Sequence, residues 1–423
     1  MLRITIAAGV LFLNGLGLAG DTWPSFRGPQ GDGTVTGSRL PLTWSETNNV
    51  RWKIALPLPG WSTPVVHDNQ IWVTGATEKG TDFFGYCVAL DTGKILFEKK
   101  LFQCANPEPL MNAVNGYASP SGVIEKGRVY LHFGTYGTAC LDTGTGEVLW
   151  KREDLKCRHF RGPGSSPFLY KNLLILTFDG IDQQYLVALD KQTGKTVWKS
   201  DRKITFNDLD ERGKPKNEGD FRKGYTTPYV MTFNGKDQLI SPASTTIMSF
   251  DPETGTELWR VRSKTHTPAV SAISADGLVL AVTGHGPAEM LAIRPEGQGD
   301  VTDTHVLWRM GGKDVPQTPS PVVVNGLLYM VSDSGILNCL EAKTGNVVFR
   351  QSLGGNMIAS PIHDGEKVYF FSLTGKALVL RAGRTFEKLA ENRLDVGFMA
   401  SPAVSGNTLI LRTKTHLYAI EEK

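Results

Sequence analysis

The side chains in this sequence that could do chemistry are scattered rather than gathered in one motif. Trp61, Tyr117, Tyr225, His266, Gln317, Met357 and Phe398 each stand just ahead of an apolar run. Asn112, Asn115, Tyr136, His159, Arg161, Asp179, Asp182, Gln183, Lys223 and His285 lie in the stretches between such runs. Brought together, such a mixture of aromatic and polar groups suits a planar or polyhydroxylated ligand, stacked on rings and hydrogen-bonded at its edges. Arg158, His159 and Arg161 make a short basic segment able to hold an anion. His159, His266 and His285 lack metal-ligand spacing, so no metal site is expected. The chain has no His-Glu-x-x-His, no phosphate loop, no Gly-x-Ser-x-Gly elbow and no Cys-x-x-Cys-His, and motifs therefore assign no catalytic residue.

What must position these residues is a repeat. Thr63-Pro64, Ser119-Pro120, Ser166-Pro167, Thr227-Pro228, Thr267-Pro268, Ser320-Pro321, Ser360-Pro361 and Ser401-Pro402 recur at intervals of 40 to 61 residues, a span that fits one four-stranded propeller blade. A second signature alternates with the first: an apolar strand ending in Asp, a Gly-containing turn, then a strand ending in an aromatic. It reads ALDTGKILFE from Ala89, CLDTGTGEVLWK from Cys140, ALDKQTGKTVWK from Ala188, SFDPETGTELWR from Ser249 and CLEAKTGNVVFR from Cys339. The Asp side chain caps the turn and the Gly supplies its positive φ. Trp52, Trp150, Trp198, Trp259 and Trp308, with Phe97 and Phe349, recur once per repeat and read as residues that dock one blade on the next. The last copy stops at a third strand, His416 to Ile420, while Val50 to Ile54 is an orphan fourth strand; together they close the ring and remove its two edges.

These patterns predict an all-β fold, an eight-bladed propeller of four-stranded antiparallel blades over residues 43–423, with an arm, 21–42, running outside the ring. The stretches 101–118, 151–165 and 199–226 are long connections that share one face, while the opposite turns are short. Ligand or partner binding is expected on the long-loop face.

Charge is nearly balanced, 45 basic against 42 acidic side chains, which argues against nucleic acid as a partner. Residues 1–20 read as a secretory leader: a basic start at Arg3, an apolar run to Leu18 and small residues at Ala19 and Gly20. The apolar run is shorter than the ~20 residues of a membrane span, so a periplasmic or secreted protein without a stable span is expected. Five cysteines leave at least one unpaired. Cys104 and Cys157, in long loops of successive repeats, are the expected disulfide. Cys140 and Cys339 share a repeat position with Ala188 and Ala292 and read as small packing residues, as does Cys87, two residues earlier in its strand.

The repeats resemble the tryptophan-docking repeats of the quinoprotein, or PQQ-like, β-propeller superfamily, which includes quinoprotein alcohol dehydrogenases and the assembly lipoprotein BamB. The stretches Asp21 to Pro29 and Leu42 to Lys53 are similar to the openings of secreted PQQ-like repeat proteins of planctomycete-type bacteria. The dehydrogenases carry adjacent cysteines beside the quinone and Glu, Asn and Asp for calcium and base; no two cysteines here are adjacent, and no catalytic residue carries over. The expected function is a binding scaffold for a small polar or planar ligand, or for an envelope protein, on the long-loop face. One alternative is a divergent PQQ-dependent oxidoreductase of alcohol or sugar dehydrogenase type, with Asp179, Asp182 and Arg161 as its converging charges. Another is a BamB-like outer-membrane assembly factor, against which the missing lipid-attachment cysteine counts. No cofactor is firmly implied; the resemblance leaves PQQ with calcium open.

Overall fold

The computed structural model describes residues 22–110 and 115–422; the leader expected over 1–20 lies outside them, as does Asn112. The chain forms eight antiparallel sheets of four strands, one of them extended by a fifth. Blade 1 runs outward from the channel through Val65–His67, Gln70–Ala76, Asp82–Ala89 and Ile95–Gln103. Blades 2 to 8 repeat the order from inner strands at Val123–Glu125, Phe168–Tyr170, Tyr229–Phe233, Ile273–Ala275, Val322–Val324, Ile362–His363 and Ala403–Ser405. Closure is as expected: Val50–Ala55 pairs antiparallel with His416–Ile420 as the outer strand of blade 8, with Trp52 opposite Ala419. A lone sheet of this size would leave both apolar faces wet, so the buried clusters span neighbours; one unites residues of blades 7, 8 and 1, among them Tyr369, Tyr418 and Tyr86.

Docking between blades follows from the aromatic and the glycine together. The indole N–H of Trp52 donates to the Leu90 carbonyl at 2.8 Å, that of Trp150 to Lys191 at 3.1 Å, that of Trp198 to Pro252 at 3.2 Å and that of Trp308 to Ala342 at 3.1 Å. Each acceptor belongs to the third-to-fourth strand turn of the next blade. Each ring lies on that turn's glycine, Gly93, Gly194, Gly255 and Gly345 in order, so closely that an added Cβ would stand under 3 Å from it. Trp259 departs from the pattern. Its N–H goes to Gln238 Oε1 at 2.8 Å, and Gln238 reaches the Pro295 carbonyl at 3.1 Å, because the long turn of blade 5 lays Gly299–Asp300 along Trp259 and Arg260 as a parallel fifth strand. Ala390 leaves blade 7 without an aromatic; Trp44, just before the first strand, is buried in the cluster beside it and donates its backbone N–H to Asn392 Oδ1 at 2.8 Å.

Register corrects several expectations. Cys87 pairs with Phe97 as Cys140 pairs with Trp150 and Cys339 with Phe349, so it holds the same repeat position and not one two residues earlier. In blade 1 the place of Asp142, whose Oδ1 accepts from the Gly144 and Thr145 N–H groups, is then taken by Ala89. The prolines mislead in blades 2 and 5, where Pro120 and Pro268 stand ahead of the register held by the others. The Cys104–Cys157 disulfide is not formed. Cys104 packs on the cluster between blades 1 and 2, whereas Cys157 is buried between blades 2 and 3 with its Sγ 3.6 Å from the His159 ring nitrogens. The arm does not run outside the ring. Trp23 bridges Val66, the Pro24 carbonyl accepts from Ile124, and Gly33 and Val35 pair with His363, so the segment crosses the channel at the far ends of the inner strands.

Candidate functional site

Two positions before each inner strand the chain carries a hydroxyl: Thr63, Ser121, Ser166, Thr227, Ser271, Ser320, Ser360 and Ser401. The backbone N–H of one blade donates to the hydroxyl of the next, Thr63 to Ser121 at 2.9 Å, Ser121 to Ser166 and Ser166 to Thr227 at 3.0 Å. On the other side Ser271 donates to Ser320 and Ser320 to Ser360 at 3.0 Å, and Ser360 to Ser401 at 2.9 Å. A hydroxyl that accepts in this way keeps its own proton to donate. The result is a belt around the channel wall.

Above the belt opens a cavity of about 590 Å³ to which all eight blades contribute, a volume within the range of small-molecule sites. Its far end is closed by Phe26 of the arm. Arg27 holds the arm in place, with Nη1 on the Ser320 carbonyl at 3.0 Å and Nη2 on the Pro321 carbonyl at 2.6 Å. Arg27 has positive φ, +65°, and is fully buried; burial lowers its pKa to about 10, with the Asp32 charge opposing, so the guanidinium stays charged at neutral pH.

The rim is built by the long connections from blade 2 to 3, which carries Arg161, and from blade 3 to 4, which carries Asp220 and Lys223. Arg161 Nη2 pairs with Asp220 at 3.2 Å and its Nε is buried without a partner. Lys223 donates to the Asp220 carbonyl at 2.6 Å and touches its carboxylate; burial and the neighbouring Arg161 outweigh that contact and lower the amine to about 7. Arg161 and Lys223 thus share one carboxylate, with the amine only partly charged at neutral pH. His266 and His285 bridge through their backbones with rings 6.4 Å apart. Burial first, then each other's charge and the two cations, brings His266 to about 4; burial also lowers His285, with Asp333 pulling the other way.

Of the residues expected to form a site, Trp61, Arg161, Tyr225 and His285 line the cavity, as do Asn115 and Met357. The others do not. Tyr117 and Tyr136 pack on Phe83, Tyr117 with its hydroxyl on the Glu108 carbonyl at 2.9 Å. His159 accepts from the Thr135 N–H at 3.0 Å, and burial lowers its pKa to about 4. Asp179 is wholly buried against Arg202, and Asp182 accepts from the Arg158 and Gln183 N–H groups at 2.7 and 2.9 Å. The converging charges Asp179, Asp182 and Arg161 are therefore not assembled: each answers a different local demand. His266 stacks against Phe221 beside the mouth, and Gln317 donates its N–H to Asp333 at 2.7 Å. Asp333, Thr318, Asn356 and Phe26 line the cavity unforeseen; they sit in short turns and in the arm, where length gave no signal.

The family model described as outer membrane protein assembly factor BamB matches residues 45–203, 182–311 and 243–423. Among curated protein sequences none matches this chain. Solved structures share the fold. The quinohemoprotein alcohol dehydrogenase from Comamonas testosteroni is 14% identical with a TM-score of 0.68, covering 95% of this chain and 81% of its own. A europium-containing methanol dehydrogenase is 11% identical with a TM-score of 0.66, over 95% and 98% of the two chains. BamB from Moraxella catarrhalis is 11% identical with a TM-score of 0.58, over 88% and 99%.

Proposed function

Since the chain belongs to the PQQ-like repeat family described as outer membrane protein assembly factor BamB, we propose that it is an extracytoplasmic binding propeller whose central cup takes a small, flat, polar ligand from the long-loop face. The observation that carries this is the blind cavity lined by Trp61, Tyr225 and the hydroxyl belt and floored by Phe26. The extracytoplasmic placement rests on the leader-like residues 1–20. Among the described residues no helix is long and apolar enough to cross a membrane.

The residues present do not fit calcium with a quinone. Calcium takes six to eight oxygens with carboxylates prominent among them. Asp333 is the one carboxylate lining the cavity among the described residues, and its Oδ2 is already engaged by the Gln317 N–H. No group of three or more His, Cys, Asp or Glu side chains converges among the described residues.

A thermal-shift panel of flat organic acids, their amides, sugars and PQQ tests the reading, because a ligand of the native form raises its melting temperature. At least one flat polar compound is expected to raise the Tm of the wild type and to lose that effect in Trp61→Ala and Arg161→Gln. Hits that survive both substitutions, or none at all, would overturn it.

A further inference from the structure

Resting on the cup as a ligand site, we infer that the hydroxyl belt is an oxyanion-recognition ring, so that the ligand carries a carboxylate, sulfate or phosphate placed near the channel axis. Ser121, Ser166, Thr227, Ser360 and Ser401 line the cavity, and each accepts a backbone N–H from the preceding blade. None of them donates its own proton to a protein acceptor among the described residues. Thr63 lines the same wall with its hydroxyl engaged by no described residue. Ser and Thr hydroxyls can both donate and accept. Here the accepting side faces the neighbouring blade, which leaves the donors for whatever enters the cup.

Charge points the same way. Arg27, buried behind the floor, is held by carbonyls alone and hydrogen-bonds no carboxylate, so its charge is not cancelled by a bonded partner. At the rim, Arg161 and Lys223 divide a single Asp220 between them. Against these stand Asp32, whose charge acts on Arg27, and, in the cavity wall among the described residues, Asp333, already bonded to a backbone N–H. A group that only accepts hydrogen bonds and carries negative charge satisfies such a wall. An amide keeps one carbonyl acceptor but puts N–H donors in place of the second acceptor and of the charge, and among the described lining residues a cation meets no carboxylate that is not already bonded. Charge-assisted O–H bonds to an oxyanion are among the stronger hydrogen bonds available.

Benzoate and benzamide have nearly the same shape and differ in this respect, which makes them the probes, with sodium sulfate as a third arm to separate the oxyanion from its aromatic body. Binding is read by isothermal titration and by the shift in Tm of the mature protein. Benzoate is expected to bind at least tenfold more tightly than benzamide. Thr63→Val keeps the shape and the inter-blade bond, since only the Thr63 backbone makes that bond; it is expected to weaken benzoate at least threefold while leaving the Tm of the free protein unchanged. Sulfate competing with benzoate supports the ring. Benzamide binding as tightly as benzoate, with loss of both in Trp61→Ala, would remove the oxyanion ring and leave the cup standing. Binding of neither probe nor of sulfate would overturn both.

Discussion

Arg27 and Ser320 lie 293 residues apart in sequence and meet at 3.0 Å, guanidinium to carbonyl, where the arm is buried against blade 6. That bond, with its companion to Pro321, makes the arm part of the propeller rather than a tail.

Arg27→Met should therefore act on stability as well as on the cup. It removes the donors from two buried carbonyls, and leaving such groups unpaired costs about 1 to 3 kcal/mol each. Urea denaturation is expected to show a loss of about 2 to 6 kcal/mol, and hydrogen exchange to show the amides of Trp23, Gly33 and Val35 exposed. A variant with wild-type stability and protection would mean the arm docks without it.

The docking glycines separate two causes of strain. Gly345 and Gly326 have similar φ, +75° and +77°, but a Cβ on Gly345 would lie 2.7 Å from the Trp308 ring while one on Gly326 meets nothing within 4 Å. Gly326→Ala should cost about 1 kcal/mol for the left-handed backbone alone, and Gly345→Ala about 1 to 3 kcal/mol more for the displaced indole. Equal costs in paired denaturation curves would show that the ring is not seated on its neighbour.

Asp179 and Arg202 form a bidentate pair, 2.6 and 2.7 Å, with neither side chain exposed. Arg202 also reaches Ser241 Oγ of blade 4 at 2.8 Å. Asp179→Ala strands a buried cation and should cost about 3 to 5 kcal/mol, whereas the double variant Asp179→Leu with Arg202→Met should recover much of it. An Asp179→Ala protein as stable as wild type would instead free this carboxylate for another role.

Acid should weaken the fold through two histidines. Burial keeps His132 at about 3 and His159 at about 4 in the folded chain, below the ordinary 6.5. Between pH 6.5 and those values the unfolded chain binds protons that the folded one refuses, so stability present above pH 6.5 is lost as pH falls. His159 alone contributes on the order of 3 kcal/mol of loss by pH 4. Tm measured from pH 7 down to 4.5 should fall, and less steeply in His159→Asn; identical profiles for the two proteins would remove His159 from the account.

The ring was legible because its cause repeats. An aromatic in every blade but the seventh, with the glycine it docks on, leaves a period that any reading along the chain detects, and the split closing sheet follows from Trp52 lying opposite Ala419. Prolines tracked the same period only loosely, since what links the blades is the residue two positions before the inner strand; where Pro120 and Pro268 are out of register, the Ser121 hydroxyl accepts the Thr63 N–H and Ser271 donates its backbone N–H to the Ser320 hydroxyl. Cys87 was misplaced for a similar reason: the second Asp-like residue of its turn, Asp91, looked like the cap that Ala89 in fact replaces. The site was less legible. Which way a loop residue turns depends on partners far away in sequence, as with His159 drawn to Thr135 or Asp179 to Arg202, and Phe26 entered the cup because Arg27 found carbonyls on blade 6.

Whether the cup is the ligand site can be settled by soaking crystals with 4-iodobenzoate and collecting anomalous data. The account expects an iodine peak inside the channel, between the level of Trp61 and the Phe26 floor, with the carboxylate toward the hydroxyls of Ser360 and Ser401. Peaks only on the outer strands or loops, with the channel empty of iodine at saturating ligand, would contradict it.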